Sequence, residues 1–354
     1  MKTKRIALLT ISLLTSTAFL SGCDKKEAVP TITKIDYGTI RKNKLNSIED
    51  LVEIDYDNLL QKTINKESFI LIIYGSKTCG CWTTFKPIIT DYINDKDINV
   101  EYIQVSAIRN KEEHLGLYLA DSVMPSIAIF NRGKLSCQAV YEGDMTKIFK
   151  DKQSFYNYME EKIILPTMYF IEKTTLETYI AENKEMLLYI ARSLCPDCGN
   201  VNRDVLQSWS DSYKGKEKLY IFDIQSYRDE SSVVYQEIKD WIGLSPVNND
   251  KFGFDIGAVP TFQYRIGEVV EDMIVTNNDS VNTENGTLES YFTEERVNNS
   301  PLFKNEKEIK TILDGMALDA EIISNWRNNS HDFYIKYHYP LLNKFLNNYI
   351  DIKE

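Results

Sequence analysis

Histidine is scarce in this chain: only three of the 354 residues are histidine, at positions 114, 331 and 338. A zinc site built on a cysteine pair needs two further ligands at suitable spacing, and the sequence does not supply them. Tracts rich in methionine or histidine are also missing, which argues against a carrier of copper(I). The sequence therefore predicts no metal site and implies no cofactor.

Clusters of basic residues are absent as well. The formal net charge is −11, from 41 Lys and Arg against 52 Asp and Glu. An acidic chain of this kind is not expected to bind nucleic acid or to dock electrostatically on anionic lipid. With 43% hydrophobic and 26% charged residues the chain is globular rather than disordered, and its length allows two domains with proper cores.

The N-terminal segment 1–22 has the pattern of a secretory signal, with basic residues followed by an apolar run from Ile6 to Leu20. The run ends in Leu20-Ser21-Gly22-Cys23, which resembles the lipobox of bacterial lipoproteins and implies a lipid on Cys23. The alternative is an uncleaved anchor with an incidental cysteine. Both predict a protein on the extracytoplasmic face of a membrane, where disulfides persist. Residues 23–45 are polar, with little periodicity, and predict a tether.

The stretch Leu187–Cys198 is the most informative part of the chain. An apolar run of strand-forming residues ends in a short polar turn, and Cys195 and Cys198 then flank Pro196 and Asp197. The i, i+4, i+8 spacing of apolar residues that follows predicts an amphipathic helix, with the members Val201, Val205 and Trp209. Cys195 is therefore expected at the N-terminus of a helix.

A cysteine in that position is expected to be reactive. Unpaired N–H groups and the helix dipole stabilise an anion at a helix N-terminus, which lowers the pKa of the Cys195 thiol. Cys198 lies one turn further on and is close enough to form a reversible disulfide with it. A structural disulfide or half of a zinc site are the alternatives, but the strand–turn–helix context favours redox chemistry.

A proline-led hairpin follows at 257–270. The segment Gly257-Ala258-Val259-Pro260 leads into two strands joined by a glycine-containing turn. Together with the Cys-x-x-Cys helix, this pattern resembles the thioredoxin-like superfamily. The resemblance implies that the Val259–Pro260 peptide bond is cis, that Pro260 lies against the disulfide, and that Val259 pairs its backbone with a substrate peptide.

The sequence contains an internal repeat. When Cys79 is aligned with Cys195, the twenty residues before each cysteine align without gaps. Each copy reads as a helix, a buried strand, a cysteine-bearing turn and a proline-led hairpin, which in the first copy begins at Met124-Pro125. We therefore predict an α/β fold of two tandem thioredoxin-like domains, each with a central mixed sheet flanked by helices. The expected boundaries are 46–165 and 166–354, the second domain including C-terminal helices.

The first domain departs from the usual motif because it has Cys79-Gly80-Cys81-Trp82, with tryptophan one turn after the first cysteine. Three interpretations are open: a Cys-x-Cys redox pair, a single reactive Cys79, or a degenerate site with leftover thiols. Cys137, in the second strand of the hairpin, is expected to pack as a small hydrophobe; a disulfide to Cys79 or Cys81 is the alternative.

The second site also departs from the family pattern. Many thioredoxins place a buried acid six residues before the first cysteine, where this chain has Tyr189, and Ile73 in the first domain. Asp197 is expected to disfavour the Cys195 thiolate, and Arg192 to favour it. The sequence therefore assigns neither an oxidant nor a reductant.

The C-terminal region, about 305–350, carries three apolar stripes of helical period. Part of it is expected to close the second domain, and the remainder to form a cap over the core or a partner-binding surface.

The function predicted from all this is a membrane-anchored thiol–disulfide oxidoreductase. Cys195 would react first and Cys198 resolve, and Val259 and Pro260 would present a protein or peptide thiol or disulfide. Cys79 and Cys81 would be a second redox pair that relays electrons between the domains, with Met124 and Pro125 as the substrate-binding residues beside it. A further, unidentified redox partner would reset the cysteines. The chain resembles extracytoplasmic oxidoreductases, including the bacteriocin-transport-accessory type. A non-catalytic scaffold and a thiolate copper chaperone are the rival functions.

Overall fold

A computed structural model describes residues 32–119, 123–213, 218–245, 251–252, 257–276, 298–302, 335 and 339–350. The predicted signal segment, the lipidation site Cys23 and most of the predicted tether lie outside these ranges, as do the first two apolar stripes of the C-terminal region. None of the helices among the described residues is both long enough and apolar enough to cross a membrane.

Strands and helices alternate along most of the described chain. The strands are β1 (Thr33–Lys34), β2 (Tyr37–Ile40), β3 (Phe69–Tyr74), β4 (Glu101–Gln104), β5 (Ser126–Asn131), β6 (Lys134–Val140), β7 (Ile163–Ile164), β8 (Met168–Ile171), β9 (Glu185–Ala191), β10 (Leu219–Asp223), β11 (Thr261–Ile266) and β12 (Val269–Val275). The helices are α1 (Tyr56–Ile64), α2 (Gly80–Lys96), α3 (Val105–Ile108), α4 (Lys152–Lys162), α5 (Lys173–Ala181), α6 (Pro196–Val201), α7 (Gln207–Tyr213), α8 (Gln225–Glu230), α9 (Ser232–Trp241) and α10 (Tyr339–Ile350), with the π-helical turn Asn202–Leu206 between α6 and α7.

The first domain is built around β3, whose six residues are all buried. Alternate side chains of a strand point to opposite faces of a sheet, so a continuous apolar run needs cover on both sides. Ile70 and Ile72 pack in a cluster with Phe85 of α2, whereas Leu71 packs in a different cluster with Leu59 of α1. The sheet of this domain therefore has helices on both faces.

The order of the four shared strands is the same in both domains, and the second sheet has two further strands at one edge. The first sheet has the order β4-β3-β5-β6, and the second has β12-β11-β9-β10-β8-β2. In each, the cysteine-preceding strand (β3 or β9) pairs parallel with the next strand and antiparallel with the first strand of the hairpin. The hairpin strands pair antiparallel with each other. This strand order and pairing define two tandem thioredoxin-like domains, as the sequence predicts.

The internal repeat corresponds to equivalent elements. The helix–strand units α1–β3 and α5–β9 begin at Tyr56 and Phe69 in the first domain and at Lys173 and Glu185 in the second, within one residue of the alignment that puts Cys79 on Cys195. The alignment also places 52–55 opposite β8. There the first domain keeps one backbone hydrogen bond, from the N–H of Ile54 to the carbonyl oxygen of Tyr102 at 3.1 Å.

Two short strands form within residues 33–40, which the sequence places in the tether. We call residues 32–41 the N-terminal strap. Within the strap, β1 pairs parallel with β7, and β2 extends the second sheet by pairing parallel with β8. The strap also touches the first domain, where the N–H of Thr39 donates to the carbonyl oxygen of Asp97 at 2.9 Å. Edge-strand pairing depends on backbone groups, which leave little trace in the sequence. The domain boundaries themselves stay predictions.

Helix α10 belongs to the core of the second domain. Leu341, Leu342, Phe345 and Leu346 are fully buried in the same cluster as the cysteine-bearing helix. Tyr349 of this helix hydrogen-bonds the buried carboxyl of Asp272 on β12, which also accepts from the N–H of Leu302 at 3.1 Å. This part of the C-terminal region therefore closes the second domain.

The strap leaves no room for a side chain at position 38. A Cβ on Gly38 would lie against the carbonyl oxygen of Asp97 and the ring of Tyr169, closer than real Cβ atoms approach such atoms. We expect Gly38→Ala to lower the free energy of unfolding by about 1–3 kcal/mol, because the backbone of Asp97 has to shift. Chemical denaturation monitored by circular dichroism measures the change.

Gly199→Ala is the matched control, since a Cβ at position 199 meets nothing within 4 Å. Alanine is the better helix former, so this variant should be neutral or more stable by up to about 1 kcal/mol. A Gly38→Ala protein as stable as the wild type would mean that the strap does not pack as described.

Candidate functional site

Cys195 lies at the N-terminus of α6, as the sequence predicts. It is the N-cap residue in extended conformation, and Pro196 occupies the first turn, where its missing N–H costs no hydrogen bond. Cys198 follows one turn later on the buried side of the helix. Both residues carry free thiols, and they are 5% and 1% exposed. The fold therefore brings the two predicted redox residues together in the core of the second domain.

The environment of Cys195 favours the thiolate. A hydrogen bond from the Cys198 thiol is the largest influence, and with the backbone N–H groups of Cys198 and Asp197 it lowers the pKa of Cys195 to about 6. Burial and the Asp197 carboxylate act in the opposite direction and are outweighed. The expected effect of Asp197, which disfavours the Cys195 thiolate, is therefore present. Arg192 instead acts through its backbone N–H, which donates to Cys198 Sγ at 3.5 Å.

Cys198 is held in the protonated form. Its hydrogen bond to Cys195 and its burial raise the pKa of the Cys198 thiol far above the usual range, while the N–H of Arg192 and the hydroxyl of Tyr189 oppose the shift. The two thiols therefore have opposite roles at neutral pH, an anion at Cys195 and a proton donor at Cys198. This is the division expected of an attacking and a resolving thiol.

The predicted hairpin proline lies beside this pair. The Val259–Pro260 peptide bond is cis, as the resemblance implies, and Cys195 Sγ lies 3.8 Å from the carbonyl oxygen of Val259. Thr261 begins β11 directly after the proline and pairs with Ile190 of the central strand β9. This pairing fixes the proline loop against the cysteine-bearing turn, so Cys195, Cys198, Val259 and Pro260 form one site.

Tyr189 is part of the site, although the sequence marks it only as a departure from the family pattern. It is fully buried on β9, with its ring stacked on Phe262 at 4.4 Å between centroids. Its hydroxyl lies 3.5 Å from the carbonyl oxygen of Cys198 and also hydrogen-bonds the Cys198 thiol. Burial raises the pKa of Tyr189 well above its ordinary value. Tyr189 therefore stays neutral and serves as a hydrogen-bond donor, not as a base.

The first domain holds a second cysteine site with a different environment. Cys79 is the N-cap residue of α2, and it is joined to Cys81 by a disulfide; Cys79 Sγ also accepts a hydrogen bond from the N–H of Cys81 at 3.3 Å. Both cysteines are half-buried. They line a cavity of about 580 Å³ together with Met124 and Pro125, whose shared peptide bond is cis.

Apart from Trp82 of the cysteine motif, the other residues of this cavity are not indicated by any motif. They come from the turn after β3, from α2 and α3, and from the end of the hairpin, and include Ser76, Trp82, Ser106, Arg109 and Tyr141. The lining is mostly apolar, with Arg109 as its cationic group. Ser106, Arg109 and Tyr141 are distant from the disulfide in sequence, so only the fold reveals that they share its cavity.

Cys137 is a free thiol on β6, not a disulfide partner of Cys79 or Cys81. Its sulfur lies 3.8 Å from the Tyr158 hydroxyl, and burial raises the pKa of the Cys137 thiol. It packs against the apolar cluster of the first domain, as predicted. In the part of the chain that the structure describes, no group of three or more His, Cys, Asp or Glu residues is arranged to hold a metal ion.

Comparison with known proteins finds only distant structural similarity. No family model matches the chain, and no curated protein does. Human ERp44 (crystal form I) is 14% identical with a TM-score of 0.33, and the match covers 81% of this chain and 58% of that one.

Two further solved structures match less well. The first two thioredoxin domains of Saccharomyces cerevisiae Eps1p are 10% identical with a TM-score of 0.19, covering 53% of this chain and 80% of that chain. The alkylhydroperoxide reductase component AhpF of Enterococcus faecalis is 13% identical with a TM-score of 0.18, and the match covers 62% of this chain and 89% of that chain. The fold class therefore rests on the strand order of this chain and not on these likenesses.

The low pKa of Cys195 can be tested by alkylation. We expect the rate of iodoacetamide modification of Cys195 to rise with pH through a midpoint near 6, because only the thiolate reacts. Cys198→Ala removes the donor to the thiolate and should raise the midpoint by about 1–2 units. Mass spectrometry of the peptide that contains position 195 measures the rate.

Cys198→Ser is the matched control, because its hydroxyl can still donate to the Cys195 thiolate. Its midpoint should stay close to that of the wild type. If the alanine and serine variants gave the same midpoint, the Cys198 thiol would not be what stabilises the thiolate.

A second test concerns Tyr189. In the reaction with a symmetrical aromatic disulfide, the first released thiolate reports attack by Cys195 and the second reports resolution by Cys198. Tyr189→Phe keeps the ring stacking on Phe262 but removes the hydroxyl that lowers the pKa of Cys198. We expect the second phase to slow by about 3- to 10-fold, with the first phase unchanged.

Tyr169→Phe, at another buried tyrosine of the same sheet, is the control and should leave both phases unchanged. Both proteins are measured in a Cys137→Ser background, so that the remaining free thiol does not contribute. An unchanged second phase in Tyr189→Phe would exclude a role of the hydroxyl in resolution.

Proposed function

We propose that this chain is a lipid-anchored, extracytoplasmic thiol–disulfide oxidoreductase that exchanges disulfides with protein or peptide substrates through Cys195 and Cys198. The observation that carries the proposal is the arrangement at α6. A thiolate with a pKa of about 6 stands beside a protonated second thiol, 3.8 Å from the carbonyl oxygen that precedes a cis-proline.

In the first step, the Cys195 thiolate attacks one sulfur of a substrate disulfide. The substrate S–S bond breaks, a bond forms between Cys195 Sγ and the substrate, and the other substrate sulfur leaves as a thiolate. Cys195 is only 5% exposed, so the substrate has to approach along the Val259–Pro260 loop and replace the contact between Sγ and the Val259 carbonyl oxygen.

In the second step, Cys198 resolves the mixed disulfide. Its thiol loses a proton, the thiolate attacks Cys195 Sγ, and the second substrate sulfur leaves. The substrate gains two electrons and its sulfurs take up two protons, while Cys195 and Cys198 become a disulfide. The N–H of Arg192 and the Tyr189 hydroxyl stabilise the transient Cys198 thiolate. All steps are reversible, and the reduction potential of the partner sets their direction.

The Cys79–Cys81 disulfide is proposed as a second redox pair. It is half-buried and borders a cavity of about 580 Å³, so it is open to a partner protein in a way that Cys195 is not. By exchange with a thiol of that partner it would relay electrons to or from the second domain. The open cavity supports this role over a degenerate site.

Membrane anchoring is proposed from the sequence of the N-terminus. Cys23 follows Leu20-Ser21-Gly22, as in a lipobox, and a lipid on its N-terminus would hold the folded domains at the outer face. The extracytoplasmic compartment fits the disulfide of the first domain. The partner that resets the cysteines is a further thiol or disulfide protein on the same side.

Insulin reduction in the presence of a small dithiol tests the proposal. We expect the full chain to catalyse precipitation of the insulin B chain, and Cys195→Ser to lose at least about 100-fold because the nucleophile is gone. The double variant Cys79→Ser/Cys81→Ser should keep turnover when the small dithiol supplies electrons directly. Cys198→Ser should accumulate a mixed disulfide with the substrate.

Other outcomes would point to other functions. Turnover that survives in Cys195→Ser and is lost in the double variant would assign the chemistry to the first domain. No turnover in the wild type would favour the scaffold, in which the fold holds a partner peptide without exchange. Stoichiometric copper(I) uptake without turnover would favour the chaperone.

A further inference from the structure

A cavity of about 690 Å³ lies where the N-terminal strap meets both domains. The strap contributes Lys34 and Asp36, and the first domain contributes Ser68 and Arg132. The second domain contributes residues of α7, among them Ser208 and Asp211. A cavity of this volume is within the range that holds small organic ligands. Neither cysteine pair lines it, so the proposed redox chemistry leaves it without a function.

Cationic groups exceed anionic ones in the lining. Lys34, Lys66, Arg132 and Arg203 face two carboxylates, Asp36 and Asp211. Arg132 pairs with Asp211. Arg203 pairs at 2.9 Å with its neighbour Asp204 in the π-helical turn before α7. Both arginines are thus compensated. Lys66 has no ion-pair partner among the described residues, and neither has Lys34. In a chain of net charge −11 this local excess of positive charge is unusual.

The strongest argument for a ligand in this cavity is the unpartnered amino group of Lys34. Its Nζ is buried and has no hydrogen-bond partner within the described part of the chain. A buried ammonium without hydrogen-bond acceptors is costly, because it has lost water and no acceptor replaces it. Desolvation accordingly lowers the pKa of Lys34 to about 8, against the opposing influence of Asp211 and Asp36. Lys34 lines the cavity, so a rotation of its side chain that brings Nζ to an acceptor in the cavity would offset this cost.

Asp36 is adapted to the same environment. Its carboxyl accepts from the N–H of Ser68, yet burial together with Glu67 and Asp211 raises its pKa to about 6, with Arg132 acting in the opposite direction. A second anion nearby would favour the protonated acid, which then donates a hydrogen bond instead of repelling the ligand. The carboxyl therefore does not exclude an anion from the cavity.

We propose that this interdomain cavity binds a small polyanion carrying carboxylate or phosphate groups, with Lys34 and Lys66 as its charge partners and Ser68 and Ser208 as hydrogen-bonding neighbours. The cluster of lysines, the volume of the cavity and the unpartnered Nζ support the same conclusion from separate observations. The site is distinct from both cysteine pairs, and its occupation does not require thiol chemistry.

Isothermal titration calorimetry of the full chain with succinate and with pyrophosphate, at matched ionic strength, tests the proposal. We expect one-to-one binding of at least one of the two probes. Lys34→Met should weaken binding by about 10- to 100-fold, as expected for a lost charged hydrogen bond. Lys66→Met, at an exposed position where folding is not at risk, should weaken it by about 3- to 10-fold.

Lys42→Met, at an exposed lysine outside the cavity, is the matched control and should bind as the wild type does. Lys34→Met is expected to fold, since it removes an unpaired buried charge, and its melting temperature without ligand should be equal to or above that of the wild type. Cys195→Ser should bind the probe unchanged, which separates this site from the proposed oxidoreductase function.

The pH dependence provides a further check. Succinate is a dianion at both pH 7 and pH 9, whereas Lys34 loses its charge between them, so binding to the wild type should weaken at pH 9 more than binding to Lys34→Met. If only succinate binds, the ligand carries carboxylate groups. If only pyrophosphate binds, it carries phosphate groups. No binding of either probe at about 10 mM, or equal binding by Lys34→Met and wild type, overturns the proposal.

Discussion

The hydrogen bond between the Cys198 and Cys195 sulfurs is the interaction on which the proposed chemistry depends. A thiolate buried to 5% exposure would be strongly disfavoured by desolvation alone. The Cys198 thiol and two backbone N–H groups at the start of α6 reverse that preference. The same bond keeps Cys198 protonated, so a single contact sets the roles of both thiols. It is available only because one helical turn separates the two residues and places Cys198 over the core.

The first domain shows what happens to the same fold when this spacing changes. In the repeat alignment Trp82 takes the place of Cys198, and it is just as buried, at 1% exposure. Its ring stacks on Tyr74 at 5.2 Å, and its Nε1 donates to Glu49. With the core position filled by tryptophan, the second cysteine stands one residue earlier, on the more exposed side of the helix beside a cavity. One fold therefore presents a buried thiol pair in one domain and an accessible disulfide in the other.

The features of the fold and of the site that could be predicted are those with a local sequence pattern. The strands before each cysteine, the helix starts and the proline-led hairpins follow from apolar runs, turn residues and proline positions, and the structure confirms them. The strap escapes prediction because β1 and β2 are two and four residues long and are held by backbone pairing. The role of Tyr189 escapes it because a tyrosine in a strand is ordinary, and its contact with Cys198 arises only when β9 and α6 pack together.

The interdomain cavity could not be anticipated either, since its charges come from three separate parts of the chain. Its position nevertheless follows from the topology. The helix that begins after Cys195 continues through the π-helical turn into α7. Ser208 and Asp211 therefore lie on the same helical segment as Cys195, about 20 Å further along its axis. The strap forms the opposite wall because β2 extends the second sheet while Thr39 bonds the first domain. Because the strap bonds both domains, some of its side chains lie between them, among them Lys34 and Asp36. The Nζ of the half-buried Lys34 has no hydrogen-bond partner among the described residues, and the adjacent cavity leaves room for the ligand that the lysine is proposed to bind.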